Sequence, residues 1–273
     1  MTAPVLTSGY LEPRLVGKIQ GEFYVRSYQR GYRWGRHEVD CLLNDIEASG
    51  TQNYYLAPVV VKRMDDGRWE LIDGQQRLTT LFLILRYVQE HLPSAKLRYH
   101  LEYQTRPGSV AYLQEPDEKA SSDNIDFFHI FHAAARIRAW FQSKPDPAMA
   151  AINFYKALSE TVHVIWYEAP DDVDARTLFI RLNVGRIPLT DAELVKALLL
   201  SRADRAEEIA AQWDSIERDL RVPEVWSFVT AQAHEDPTHI SLLLDTLAGG
   251  QTVGERPLLH LREGQGTDRG DLA

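Results

Sequence analysis

Five consecutive residues without an apolar side chain, Asp73-Gly74-Gln75-Gln76-Arg77, stand between a hydrophobic run and a strongly apolar helical pattern. A strand that ends in Asp73-Gly74 and feeds a helix brings backbone N–H groups and the positive end of the helix dipole to one point. Such a point attracts phosphate. Gly74 permits a sharp turn and close approach of a ligand, and Arg77 can reach back to hold phosphate oxygens through two parallel hydrogen bonds. Asp73 can hold a metal, magnesium being the natural ion beside phosphate, or orient a water. Gln75 and Gln76 supply amide donors and acceptors, and Thr79 and Thr80 add hydroxyls near the same helix end. A plainer reading also stands: Asp73 caps the helix, Gly74 makes the turn and Arg77 is solvated or salt-bridged. A cap and a turn do not by themselves require five such residues in a row.

A second run interleaves cations and rings: Arg26, Tyr28, Arg30, Tyr32, Arg33, Trp34 and Arg36. That composition suits phosphate contacts and base stacking, or a buried cation–π cluster. Further on, Asn183 and Gly185 have the types that end a helix in left-handed conformation. Lys196 sits among Leu194, Val195, Leu198 and Leu199, where an unpaired ammonium is costly, so it is expected to reach a carboxylate or a phosphate. His129 and His132 share a helix with Phe127, Phe128 and Phe131 and read as packing residues rather than metal ligands. The single cysteine, Cys41, beside Leu42, reads as a buried structural thiol.

The elements that must position these residues follow from periodicity. Val39, Leu42, Leu43 and Ile46 predict a helix over 37–49, ended by Gly50. Leu56 to Met64, the turn Asp65-Asp66-Gly67 and Arg68 to Ile72 predict a β-hairpin. From Gln75 to about His91, Leu78, Leu81, Phe82, Leu85 and Val88 lie on one helical face, and Pro93 bars further extension. Strand, tight turn and helix thus frame the Asp73–Arg77 run. A third strand is predicted at Leu97–Tyr103, helices around 123–143 and 147–160, and a strand at Val162–Tyr167. Asp171 to Leu182 reads as a helix, and Thr190-Asp191-Ala192-Glu193 as a capping box for the next. The class is α+β: residues 1–110, completed by a strand at 162–168, form a small mixed sheet, 111–248 are mainly helical, and the glycine-rich 249–273 reads as a linker or tail.

Composition bounds the function. The chain has 273 residues, 44% of them hydrophobic and 25% charged, enough to bury a sizeable core. It contains no apolar run long enough for a membrane span and no secretory signal pattern, which places it in the cytoplasm without a membrane partner. A net charge of −9 excludes a general nucleic-acid coat. Yet Met1 to Arg36 carries Arg14, Lys18, Arg26, Arg30, Arg33 and Arg36 against Glu12 and Glu22, a local positive surplus, while acidity gathers in Asp204 to Asp219.

The run Leu71 to Leu81, with Asp73-Gly74-Gln75-Gln76-Arg77 at its centre, resembles the signature of the DGQQR domain that begins GmrSD-type restriction proteins and SspE-like phage-defence proteins. Tyr28 to Trp34 resembles the family's opening motif, Leu178 to Gly185 its Asn-Gly motif and Leu194 to Ala197 the helix that follows. His239 to Asp245 is similar, less specifically, to a late apolar helix. Ser27 stands where the family usually has proline. The resemblance implies a ParB/sulfiredoxin-like fold in which Gly74 to Arg77 handles nucleotide phosphate, with Arg30, Asn183 and Lys196 as further ligands. It implies hydrolysis of a nucleoside triphosphate, often GTP with magnesium, by Asp73, Gln75, Gln76 and Arg77. Attack on foreign or modified DNA, phosphorothioate among the modifications, would be coupled to it, and Tyr28, Gln29, Arg30 and Arg33 are the expected DNA-sensing residues. A separate C-terminal HNH-type nuclease domain is the expected partner of such a region. A non-hydrolysing nucleotide switch of ParB-like type is the alternative.

Overall fold

The computed structural model describes residues 9–183 and, beyond them, 192, 195, 196, 199, 205–220, 222, 225, 226 and 240–247. Six strands form one mixed sheet: β1 (Tyr10–Leu15), β2 (Gly21–Val25), β3 (Tyr54–Arg63), β4 (Trp69–Asp73), β5 (Tyr99–Tyr103) and β6 (Val162–Ala169), in the spatial order β1-β6-β3-β4-β2-β5. The β3–β4 hairpin is antiparallel, whereas β4, β2 and β5 run parallel to one another. The helices are α1 (Arg36–Ser49), α2 (Gln75–His91), α3 (Ser109–Gln114), α4 (Glu118–Ser121), α5 (Ile125–Gln142), α6 (Pro147–Glu160), α7 (Ala175–Asn183), α8 (Ala206–Asp219) and α9 (Ile240–Leu247). The α+β class with a mixed sheet is thus the fold of this chain.

Alternation along the strands sends side chains into two cores. Val59, Val61, Trp69 and Leu71 join the large core, which also takes apolar residues of α1, α2, α5 and α6. Val60 and Ile72 point the other way, into a smaller core with Tyr28, Ala175, Phe179 and Ala210. The sheet is therefore covered on both faces. This explains why Val59-Val60-Val61 and Leu71-Ile72 are continuous apolar runs rather than a clean alternation.

Most elements lie where periodicity puts them, including α2, whose bounds Gln75 and His91 coincide with expectation. Two strands were not expected. Both β1 and β2 fall within the arginine-rich opening, and β1 is an edge strand with exposed Tyr10 and Leu11, so it carries little apolar signal. Cys41 corrects another expectation: it is exposed, on the solvent side of α1, 3.7 Å from His37 Nε2. The buried face of α1 is Val39, Leu42, Leu43 and Ile46, one residue out of phase with Cys41. The sites of the capping box at Thr190, of Val184-Gly185 and of the tail 249–273 lie outside the described residues, Ala192 excepted.

Candidate functional site

Strand β3 is interrupted where it meets the Asp73–Arg77 run. Its pairing with β6 shifts register between Leu56 and Val59, around Pro58, which cannot donate to the ladder. The carbonyl of Pro58 instead accepts a hydrogen bond from Arg77 Nη2. Gly74 packs into the same bulge. Its φ of 97° is left-handed, and a Cβ there would lie 3.2 Å from the Val59 Cα and 3.4 Å from the Pro58 carbonyl oxygen. Glycine is required on both counts. Helix α2 starts immediately after it with no side-chain cap, so its first-turn N–H groups face whatever lies beyond the sheet.

Three parallel strands end side by side at this edge. β4 delivers Asp73, Gly74 and Arg77, β2 delivers the loop 26–35 with Arg30 and Arg33, and β5 delivers Arg106. The crevice outside the carboxyl ends of neighbouring parallel strands is where open α/β sheets bind ligands.

The loop 26–35 is fixed by hydrogen bonds that consume several expected ligands. Gln76 Nε2 donates to the Gly31 carbonyl at 2.8 Å, and its Oε1 accepts from the Arg33 and Trp34 amides at 2.8 and 3.3 Å. Gln29 Nε2 donates to the Leu71 carbonyl at 2.6 Å. The Tyr28 hydroxyl donates to Glu70 Oε1 at 2.8 Å, and its ring meets Phe179 edge-on at 5.4 Å. Burial, reinforced by Glu70, pushes the Tyr28 phenol far above its ordinary value, so it stays a donor at neutral pH. Tyr28 and Gln29 are therefore buried and hold the loop. Thr79 and Thr80 are also turned away from the expected phosphate: Thr79 Oγ1 shares a 2.7 Å hydrogen bond with the Tyr103 hydroxyl, and Thr80 Oγ1 donates to the Gln76 carbonyl at 2.9 Å and lies 2.9 Å from the Tyr32 hydroxyl. Both are fully buried, on the core face of α2. Gln75 is buried and makes no side-chain hydrogen bond among the described residues. Asp73 and Arg77 are half-buried.

Beyond the loop lies a small cleft open to solvent. Arg30, Arg33 and Lys196 line it with Asp214 and Glu217, and Tyr28, Phe179 and Trp213 supply aromatic walls. Lys196 Nζ donates to Asp214 Oδ1 at 3.0 Å, the carboxylate contact that its apolar neighbours demand. Asn183 is the last residue of α7. Behind the cleft wall runs a relay of opposite charges that sequence reading did not single out. Arg33 Nη1 pairs with Asp126, Arg106 Nε lies 2.6 Å from Asp126 Oδ2, and Arg106 Nη1 donates to Asp214 Oδ2 at 2.5 Å. Burial alone would raise the Asp126 pKa, but Arg33 and Arg106 outweigh it and hold the carboxyl below its ordinary value. A faint signal was available: Asp126 stands between Ile125 and Phe127 on a helix, an uncommon place for a solvated acid. Asp214 was hidden in the acidic stretch 204–219, which reads as solvated surface.

One group of three or more potential metal-ligating His, Cys, Asp or Glu side chains is what a self-contained metal centre needs, and none occurs among the described residues. None of their helices is long and apolar enough to cross a membrane. Among known families, residues 13–200 match the one described as "GmrSD restriction endonuclease, N-terminal domain". No curated protein matches the chain.

Proposed function

The match covers well over half of the chain, which therefore belongs to the GmrSD restriction endonuclease N-terminal family, and we propose that it is the nucleotide-hydrolysing control region of such a restriction protein. One observation carries this reading. Three parallel strands end at one edge of the sheet, where β4 leads into the uncapped start of α2 with Gly74 and Arg77 and β2 leads into the loop with Arg30 and Arg33. Backbone N–H groups and the α2 dipole would hold phosphate oxygens, Gly74 would let the ligand approach the backbone, and Arg77 would neutralise charge that develops on the transferred phosphoryl group. Asp73, at the strand end, would orient the attacking water. A magnesium ion accompanying a nucleotide takes one or two protein carboxylates and completes its shell with phosphate and water, so Asp73 suffices as the protein's share. When bound, that ion supplies charge neutralisation between phosphate oxygens. GTP is the proposed nucleotide, and modified or foreign DNA the signal, sensed through Arg30 with Arg33 behind it and relayed to a nuclease domain.

Purified chain, GTP and magnesium should release phosphate, and Arg77→Lys, which keeps the charge but loses the planar fork, should abolish release with unchanged circular dichroism. Wild-type turnover in that variant would refute the reading. The engagement of Gln76 with Gly31, Arg33 and Trp34 favours a second reading, because it withdraws one amide from positioning water. On that reading the chain binds nucleotide without turnover, and binding without phosphate release would establish it.

A further inference from the structure

The loop that faces the cleft is built around a carboxylate that never reaches it. Asp126 lies in the first turn of α5, whose N-cap Asn124 accepts from the Phe127 amide at 2.9 Å, and it is 1% exposed. Its position favours a charged carboxylate, since the helix N-terminus is positive. The opening loop wraps it closely: at Gly31, a Cβ would run into the Asp126 carboxyl group itself. Glycine at 31 is thus required by the approach of Asp126, not by backbone conformation, and its carbonyl is in turn held by Gln76. Arg33 Nη1 is shared between Asp126 and the Tyr32 carbonyl, the latter at 2.8 Å, which fixes the direction of the guanidinium along the cleft wall. On its other side Asp126 meets Arg106 Nε at 2.6 Å, a close ion pair whose N–H is not aimed along the contact. Arg106 passes the connection to Asp214, which also holds Lys196.

We propose that Asp126 is a positioning residue of the nucleotide site: buried out of reach of any ligand, it sets the guanidinium of Arg33 on the cleft wall and, through Arg106 and Asp214, the ammonium of Lys196. This rests on the nucleotide reading above. The sign of the effect separates two roles for this carboxylate. Asp126 is an anion close behind an anion site, so as a bare charge it would oppose phosphate binding, and its removal would tighten binding. As a positioning group it fixes two cations where phosphate needs them, so its removal loosens binding. The two roles give opposite outcomes.

GTP affinity measured by calorimetry on the full chain separates them. Asp126→Asn, which keeps the shape, should weaken GTP binding about tenfold, and in an Arg33→Ala background the same change should cost clearly less, because only the route through Arg106, Asp214 and Lys196 remains and side chains acting through one another do not add. Arg33→Lys keeps the charge but cannot span both the Tyr32 carbonyl and Asp126, and should weaken binding nearly as much as Arg33→Ala. That variant serves where Asp126→Asn fails to fold, which circular dichroism and melting would reveal. Tighter binding by Asp126→Asn, additive effects in the cycle, or wild-type affinity in Arg33→Lys would overturn the assignment. A wild-type chain that binds no GTP would remove the nucleotide reading and this inference with it. Binding by the wild type with an additive cycle would remove the inference alone.

Discussion

Gln76 is the residue on which a chemical and an architectural role diverge most sharply, and truncating it to alanine decides between them. The side chain is 6% exposed and satisfies the Gly31 carbonyl and the Arg33 amide at 2.8 Å, with a weaker third contact to the Trp34 amide at 3.3 Å. Alanine leaves these backbone groups buried without their partner, and each such group costs about 1–3 kcal/mol. With two strong bonds lost, and some water entering the space vacated, the expected loss is about 3 kcal/mol. For a chain of this size that lowers Tm by roughly 6–12 °C. Gln76→Glu should be no better, because the donor to Gly31 disappears and a carboxylate is placed against a carbonyl oxygen in a dry site. Thermal melting followed by circular dichroism, paired with phosphate release at a temperature where both proteins are folded, is the assay. A catalytic Gln76 would give an unchanged Tm and lost turnover. That result would refute the view that this amide chiefly anchors the loop.

Gly74→Ala should lower stability by about 1–2 kcal/mol from the left-handed backbone alone, and by more because β3 must retreat from the new Cβ; urea denaturation measures it, and an unchanged midpoint would mean that the bulge at Pro58 yields freely. Asp126→Asn should lose about 3 kcal/mol at pH 7, as expected for breaking a buried pair by removing one partner. Because the folded pKa lies below the unfolded one, the wild type has this stability above about pH 4 and loses it as pH falls through the folded value, so the gap to the variant should shrink on acidification. A gap constant from pH 7 to pH 3 would contradict the ion-pair account. Asp174→Ala removes the 2.8 Å cap on the Thr177 amide and should cost about 1 kcal/mol, seen as a modest Tm decrease. Arg30→Ala should reduce the salt dependence of DNA binding by about one unit, whereas Tyr28→Phe should leave that slope alone and lower Tm through the loss of the Glu70 contact; fluorescence anisotropy at several salt concentrations tests the first.

The sequence by itself determined the frame. Local periodicity specifies the β3–β4 hairpin, α2 with both its ends, and the abrupt passage from strand to helix at Gly74, because a 3.6-residue repeat, a turn glycine and a barring proline are all short-range signals. It also marked Asp73 to Arg77 and the aromatic-basic run as unusual, and it required a partner for Lys196. Tertiary structure alone decided what these residues do. Whether Gln76 meets a ligand or a loop depends on where residues 31–34 pass, some forty positions earlier in the chain. Whether Thr79 and Thr80 face a ligand depends on what packs against α2, and both are buried, Thr79 on Tyr103 of β5 and Thr80 on Tyr32 of the opening loop. The relay from Arg33 through Asp126, Arg106 and Asp214 to Lys196 joins residues drawn from five separate segments. In one dimension Arg106 and Asp214 read as ordinary surface charges. Burial of Asp126, Arg106 and Lys196, with Arg33 and Asp214 half-buried beside them, puts these charges where low polarity magnifies every unpaired one, and that makes their pairing obligatory.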